Sequence, residues 1–303
     1  MISVYCSERL DGIAAAAIIL RHASLARLPA QFGGVLHPER LQEELEALSR
    51  LQGKLMFLLD VSLNPHDVLL LDEVLEKNKL VYWTSSDAQS AVPSARLIDP
   101  ARDNECCAQA AQKRFLPNDP IARQLGDMAH AVKFWEEDAQ GRKIAELAAS
   151  GYPIAELLEQ LSRGVFWNDR FNLFYKKYEE KKEEACEEMM QSLILKKYLS
   201  VNIGFVLCPL PIATAESGEH VLKSHAGIDV VAVLYRDGKF ALRRRDSCNA
   251  DMRELAAIFG GGGTVHASGG RLANGITKEN LPEVLLHLDI AFKNYFVSKV
   301  NDF

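Results

Sequence analysis

Leu55 to Leu59 reads LMFLL, five apolar residues in succession, and the run ends on Asp60. A continuous apolar segment of this length is the form of a strand buried on both faces, the condition of strands in a parallel sheet. Its neighbours keep the same rhythm. Ile2 to Tyr5 is a short β-rich run, Asp11 to Arg21 an apolar helix opened by Asp-Gly, and Pro38 to Leu51 an amphipathic helix. Pro65 to Lys77 returns as a helix and Lys79 to Trp83 (KLVYW) as a strand. Such alternation predicts an α/β fold built on a doubly wound parallel sheet, whose ligands gather beyond the carboxyl ends of the strands. Asp11, Asp60 and the run Ser85-Ser86-Asp87 all fall on that edge.

The remainder of the chain changes character twice. From about Asn104 to Leu161 the pattern is helical, and Asn168 to Leu199 reads as one long helix with dense alternating charge (KKYEEKKEEACEE). A charge run of that kind is a solvated helix face, and its length suits a connector. Beyond it, Ile228 to Tyr235, Asp237-Gly238 and Lys239 to Arg245 form a hairpin signature. A helix over Asn249 to Ile258, the glycine-rich run Phe259 to Gly270 (FGGGGTVHASGG) and a closing helix over Pro282 to Tyr295 complete a smaller mixed α/β domain. The expected division is an N-terminal domain over 1–165, a helical linker over 166–198 and a C-terminal domain over 199–303.

At 303 residues, two domains are the default expectation, and 48% hydrophobic with 25% charged residues is ordinary globular composition. A formal net charge of −6 argues against a surface coated with Lys and Arg for non-specific duplex binding, and leaves room for a local basic groove. The opening MISVYCSERLDG has no basic region followed by a long apolar segment, and Ile13 to Leu20 is too short to span a bilayer. The expectation is a cytoplasmic protein with no membrane partner. Cys6, Cys106, Cys107, Cys186, Cys208 and Cys248 contain no C-x-x-C pair and are read as buried reduced thiols.

Four consecutive glycines, Gly260 to Gly263, offer bare backbone N–H groups that can approach phosphate or carboxylate oxygens. The run lacks both the Lys-Ser/Thr ending of a P-loop and the spacing of a dinucleotide fingerprint. The plainer alternative is a tight turn or a linker. Upstream, strand alternation puts Arg243 and Arg245 on one face and Arg244 on the other, and Arg is the preferred planar partner of phosphate. His266 follows the glycines closely enough to reach a ligand. Asp11 is either a helix N-cap or a ligand; Asp60, directly after a buried strand, and Asp87 complete a possible metal trio.

These segments together resemble the Asp-His-His (DHH) phosphoesterases. LRRR, a short helix and FGGGGTVHASGG resemble their C-terminal DHH-associated domain; VYCSERLDGIAAAAI, FLLDVSL and LVYWTSSDAQSA resemble their first, second and third motifs. The likeness covers almost the whole chain and most resembles the oligoribonuclease and RecJ-like branch, which acts on short oligonucleotides and nucleotide second messengers. Family enzymes hold two manganese ions on His and Asp side chains. Here the first motif, His-x-Asp-x-Asp-Gly in the family, has become Ser7-Glu8-Arg9-Leu10-Asp11-Gly12, so Asp11 alone remains of its ligands. Asp60 is retained, and the Asp-His-His triplet has become Ser85-Ser86-Asp87. A fourth aspartate is expected within His130 to Asp138, where Lys133, Trp135 or the acidic cluster after it could align. Thr264 replaces the glycine-motif His, while Gly261, Gly262, Gly263, Ala267 and Gly269 stand.

Arg9 would put a fixed positive charge where a metal ion should sit. The resemblance with these departures implies an eroded metal site facing a retained ligand-binding half. The leading expectation is a protein that binds nucleotides or short single-stranded nucleic acid in an interdomain cleft, with Arg9, Arg243, Arg245, Gly261, Gly262, Gly263, Thr264 and His266 as ligand contacts and little or no hydrolysis. No cofactor is expected, manganese or magnesium entering only if Asp11, Asp60 and Asp87 still hold an ion. One rival is an active metal-dependent phosphodiesterase with that reduced site. Another is a non-catalytic structural subunit of a complex, and self-association is compatible with each.

Overall fold

The computed structural model describes residues 1–63, 65–84, 105–134, 136–209, 212, 214–277 and 279–300. The chain divides into two compact units, Met1–Tyr175 and Lys176–Phe303. Unit 1 opens with β1 (Ile2–Ser7), α1 (Leu10–Leu25), β2 (Ala30–Leu36), α2 (Leu41–Ser49) and β3 (Leu55–Leu59). It continues through α3 (Pro65–Lys77) and β4 (Lys79–Thr84) to four helices, α4 (Cys107–Phe115), α5 (Pro120–Lys133), α6 (Ala139–Ala149) and α7 (Ile154–Ser162). The four strands are all parallel, in the order β2-β1-β3-β4.

That order places the reversal of winding between β1 and β3. In doubly wound sheets this switch point is where ligands bind. α2 and α3 cover one face, their Leu41, Leu45, Leu48, Leu71 and Val74 closing on Tyr5, Met56 and Leu58. α1 packs with α4, α5 and α7. Its Ala14, Ala15, Ala16 and Ala17 are fully buried, and such small side chains let the neighbouring backbones approach closely. On that side the Phe57 and Phe115 rings meet edge to face at 5.8 Å.

α8 (Asp169–Gln191) runs across the division between the units. Unit 2 continues with β5 (Ile194–Tyr198), β6 (Val201–Cys208), α9 (Thr214–Ser224), β7 (Val230–Tyr235) and β8 (Lys239–Arg244). α10 (Met252–Ala257), β9 (Gly262–Gly263), β10 (Ala267–Arg271) and α11 (Leu281–Val300) complete it. The sheet order is β5-β6-β7-β8-β10-β9, with β6 and β7 parallel and the other neighbours antiparallel. Met252, Leu255, Leu288 and Phe292 pack on one face against Ile203, Phe205 and Leu242. Met189 and Val221 pack on the other against Val206, Val231 and Val233.

The single long helix expected over Asn168 to Leu199 is corrected. α8 stops at Gln191, and Ile194–Tyr198 pairs antiparallel with β6 around a turn in which Leu199 has φ +55°. Pairing to β6 overrides helix propensity here, and because four of the five residues of ILKKY stay exposed, no buried face marks the strand in the sequence. Strands β2 and β6 were also missing from the sequence reading. β2 carries a Gly-Gly pair and β6 an interior glycine, which mask strand patterns that neighbouring strands stabilise.

Candidate functional site

Ser7 ends β1, Arg9 stands at the N-cap of α1, Asp11 lies in the first turn of α1 and Asp60 follows β3, so all four collect at the switch point of the parallel sheet. Asp60 is 1% exposed and has φ +56°, a left-handed conformation that Asp tolerates better than most residues. Its Oδ2 accepts from Ser7 Oγ at 2.6 Å and from Arg9 Nε at 2.9 Å. Its Oδ1 accepts from Arg9 Nη2 at 2.9 Å, completing a two-pronged guanidinium–carboxylate pair.

Asp11 is equally engaged. Its Oδ2 accepts from the Cys107 backbone N–H at 3.0 Å and from Lys133 Nζ at 2.8 Å, and its Oδ1 from the Ala108 N–H at 2.8 Å. A carboxylate on α1 thus caps the N-terminus of α4, where the helix dipole favours negative charge. Asp11 does not cap its own helix, the plainer of the two sequence alternatives. The Lys133 side chain is 19% exposed. Burial works against its charge, but the carboxylates of Asp11 and Asp60 outweigh burial and raise its pKa above the ordinary lysine value. Burial pushes the Asp60 carboxyl up and the Asp11 charge adds to it, against Arg9, Ser7 and Lys133. Burial likewise raises the thiols of Cys106 and Cys107, reinforced by Asp11, so both stay protonated.

The centre therefore holds two carboxylates and two cations, each carboxylate matched to its own. A divalent ion does not fit this arrangement: both oxygens of Asp60 are held by donors, both of Asp11 likewise, and an incoming cation would face Arg9 and Lys133. Among the described residues no group of three or more His, Cys, Asp or Glu side chains is placed to hold a metal. Asp87, with Ser85 and Ser86, lies outside the described residues, as does Trp135. Of the alternatives within His130 to Asp138 that fall among the described residues, Lys133 is the one that reaches the centre.

In unit 2 the glycine run forms the end of α10, the short strand β9 and its turn into β10. Gly260 has φ +72°; its N–H bonds to the Ala257 carbonyl, and the Gly261 N–H bonds back to Ala256. This pair of bonds is a Schellman helix stop, which favours glycine. A Cβ on Gly261 would collide with the Gly269 carbonyl oxygen. Gly262 differs, since a Cβ there would meet nothing within 4 Å. The Thr264 N–H donates to the Ala267 carbonyl at 2.7 Å, and Thr264 Oγ1 accepts from the Ala267 N–H at 3.2 Å, closing the turn. His266 is exposed, with Nδ1 3.5 Å from Asp246 Oδ1.

The arginines divide as alternation predicts, with a different outcome for each. Arg245 donates to the carbonyls of Ile228 at 2.6 Å, His225 at 2.9 Å and Leu222, tying the end of α9 to the sheet. Arg244, which the sequence reading had set apart, is the one that reaches the glycine segment, its Nε donating to the Val265 carbonyl at 3.1 Å. Arg243 lays its stem over Gly218 of α9, where a Cβ would lie 2.8 Å from Arg243 Cδ. Among the described residues its guanidinium has no hydrogen-bond or ion-pair partner. All three arginines line one surface depression with Lys223, Glu219 and Asp246. The signal that could have singled out Arg243 is Gly218, a glycine inside a helix, which costs about 1 kcal/mol relative to alanine and calls for a packing reason.

No known family profile matches this chain, and no curated protein matches it. Solved structures do. RecJ from Thermus thermophilus in complex with Mn2+ superposes with a TM-score of 0.60 at 15% identity over 98% of this chain and 52% of its own, so the chain spans about half the length of that RecJ. A pGpG-specific phosphodiesterase, PggH from Vibrio cholerae, gives 0.57 at 12% identity over 98% and 99%. CDC45 from Entamoeba histolytica gives 0.55 at 9% identity over 98% and 95%. The fold is thus the one that these three structures share.

Proposed function

We propose that this protein binds nucleotides or short single-stranded nucleic acid through a phosphodiesterase-type fold with little or no hydrolysis. The observation that carries this reading is the internal neutralisation of Asp60 by Arg9 and of Asp11 by Lys133. Two-metal phosphoryl chemistry needs carboxylates free to compensate two divalent ions, and these carboxylates are committed to side chains and to the end of α4.

The ligand contacts follow from what is left unspent. Arg243 offers a guanidinium with no partner among the described residues, seated on Gly218, and a guanidinium is suited to a phosphate oxygen pair. Gly262 presents open backbone in β9. In unit 1, taken by itself, the outer edge of Arg9 is a contact of the same kind, its side chain being 54% exposed. Because the Arg9–Asp60 and Lys133–Asp11 pairs are neutral overall, Arg243 contributes most of the attraction for phosphate. Thr264 and Arg245, occupied by backbone partners, serve the shape of the loop and sheet.

Calorimetry with pGpG and with a short oligonucleotide, run beside a hydrolysis assay containing Mn2+, tests the reading. Binding that weakens in Arg243→Ala, with no turnover, is the expected result. Absence of binding to either probe removes the proposal, and Mn2+-dependent cleavage lost in Asp60→Ala replaces it with an active phosphodiesterase.

A further inference from the structure

α11 is apolar on two sides. Leu288, Phe292 and Phe296 pack into unit 2, whereas Leu286, Ile290 and Val297 stand 59%, 54% and 48% exposed. Together with Lys293 these exposed residues recur at intervals of four, three and four, the spacing of a seam that packs against another helix. A helix that is apolar all round is ordinarily covered, and clustered exposed apolar side chains mark interaction surfaces. The adjacent β5, at the edge of its sheet, adds Ile194 to the patch. Lys196 and Lys197 on that strand discourage edge-to-edge pairing of strands, which leaves the helix face as the surface to be covered.

We infer that this face of α11 binds a second copy of the chain, the two helices running antiparallel about a two-fold axis between Ile290 and Lys293. A two-fold interface must be complementary to itself. In this register Leu286 meets Val297 of the other copy, and Ile290 meets the aliphatic stem of Lys293. The Lys293 ammonium then comes beside Asp289 of the other copy, a carboxylate that is 30% exposed here, accepts from the Tyr198 hydroxyl at 2.5 Å and lies 3.8 Å from Lys196 Nζ, both through Oδ1. A parallel pair would instead set Lys293 against Lys293. An unrelated helix would have to supply an acid at that one position, which the antiparallel twin already carries.

Sedimentation of the full chain across the micromolar range reads the result. The wild type sediments as a dimer, Leu286→Glu/Ile290→Glu as a monomer with an unchanged circular dichroism spectrum, and Lys293→Glu weakens dimerisation about tenfold, one charge pair's worth. Should the double variant fail to fold, the exposed Lys293→Glu still decides. A wild type that is monomeric throughout, or a dimer that neither variant weakens, overturns the inference.

Discussion

Asp60 joins two opposed demands at one residue: it is a carboxylate almost without solvent contact, and it is held by Arg9 and Ser7. Burial first, and the Asp11 charge second, raise its pKa. For an acid raised on folding, stability is fully present below the ordinary carboxylate range, near 3.9, and is lost as pH rises through the folded pKa. Asp119 behaves oppositely: its hydrogen bond with Arg21 lowers its pKa. Asp251, beside Arg253, is lowered to about 2. Their contributions are present above the ordinary range and are lost as pH falls. The expected outcome is a stability maximum on the acid side of neutrality. Thermal unfolding across pH checks it: the fall in Tm as pH rises above the ordinary carboxylate range, near 3.9, should be smaller in Asp60→Asn, and a variant with the wild-type profile would refute the assignment.

Among the elements, the glycine segment separates scaffold from site. Gly260 and Gly261 are demanded by the stop of α10 and by the close passage of β10, whereas nothing local demands Gly262. Gly260→Ala should cost about 1 kcal/mol, the penalty for a side chain in the left-handed region, and Gly261→Ala should also lower Tm. Gly262→Ala should leave Tm unchanged while weakening nucleotide binding, which paired melting and calorimetry would show. The parallel sheet was legible because LMFLL is a continuous apolar run, buried from Met56 to Leu59, and KLVYW repeats the strand form after the next helix. β5 was not, because a five-residue edge strand has no pattern strong enough to stand against the helix before it. At the site, the resemblance to family motifs pointed to Arg9, Asp11 and Asp60. The sequence left Lys133 one of several candidates, since its salt bridge to Asp11 spans 122 positions of the chain.

For the whole molecule, the net charge of −6 and the paired charges of the central site set how ligand affinity should respond to salt. With one or two phosphates contacted, affinity for a short single strand should fall only about 3-fold to 7-fold between roughly 50 and 200 mM salt. Titrations at several salt concentrations measure that slope, and a loss of several orders of magnitude would point to a basic groove and a longer ligand.

Asp11 has a second employment, as the cap of α4 and the partner of Lys133, and this ties the charges of the centre to the frame of the unit. An acid placed at position 133 would remove that cation and leave like charges facing each other at a buried helix end. An acid placed at position 9 would strip Asp60 of its guanidinium in the same way. Each single change of this kind is uphill in folding free energy. The centre behaves as a locked set, in which every charge is held in place by another and none can be exchanged alone.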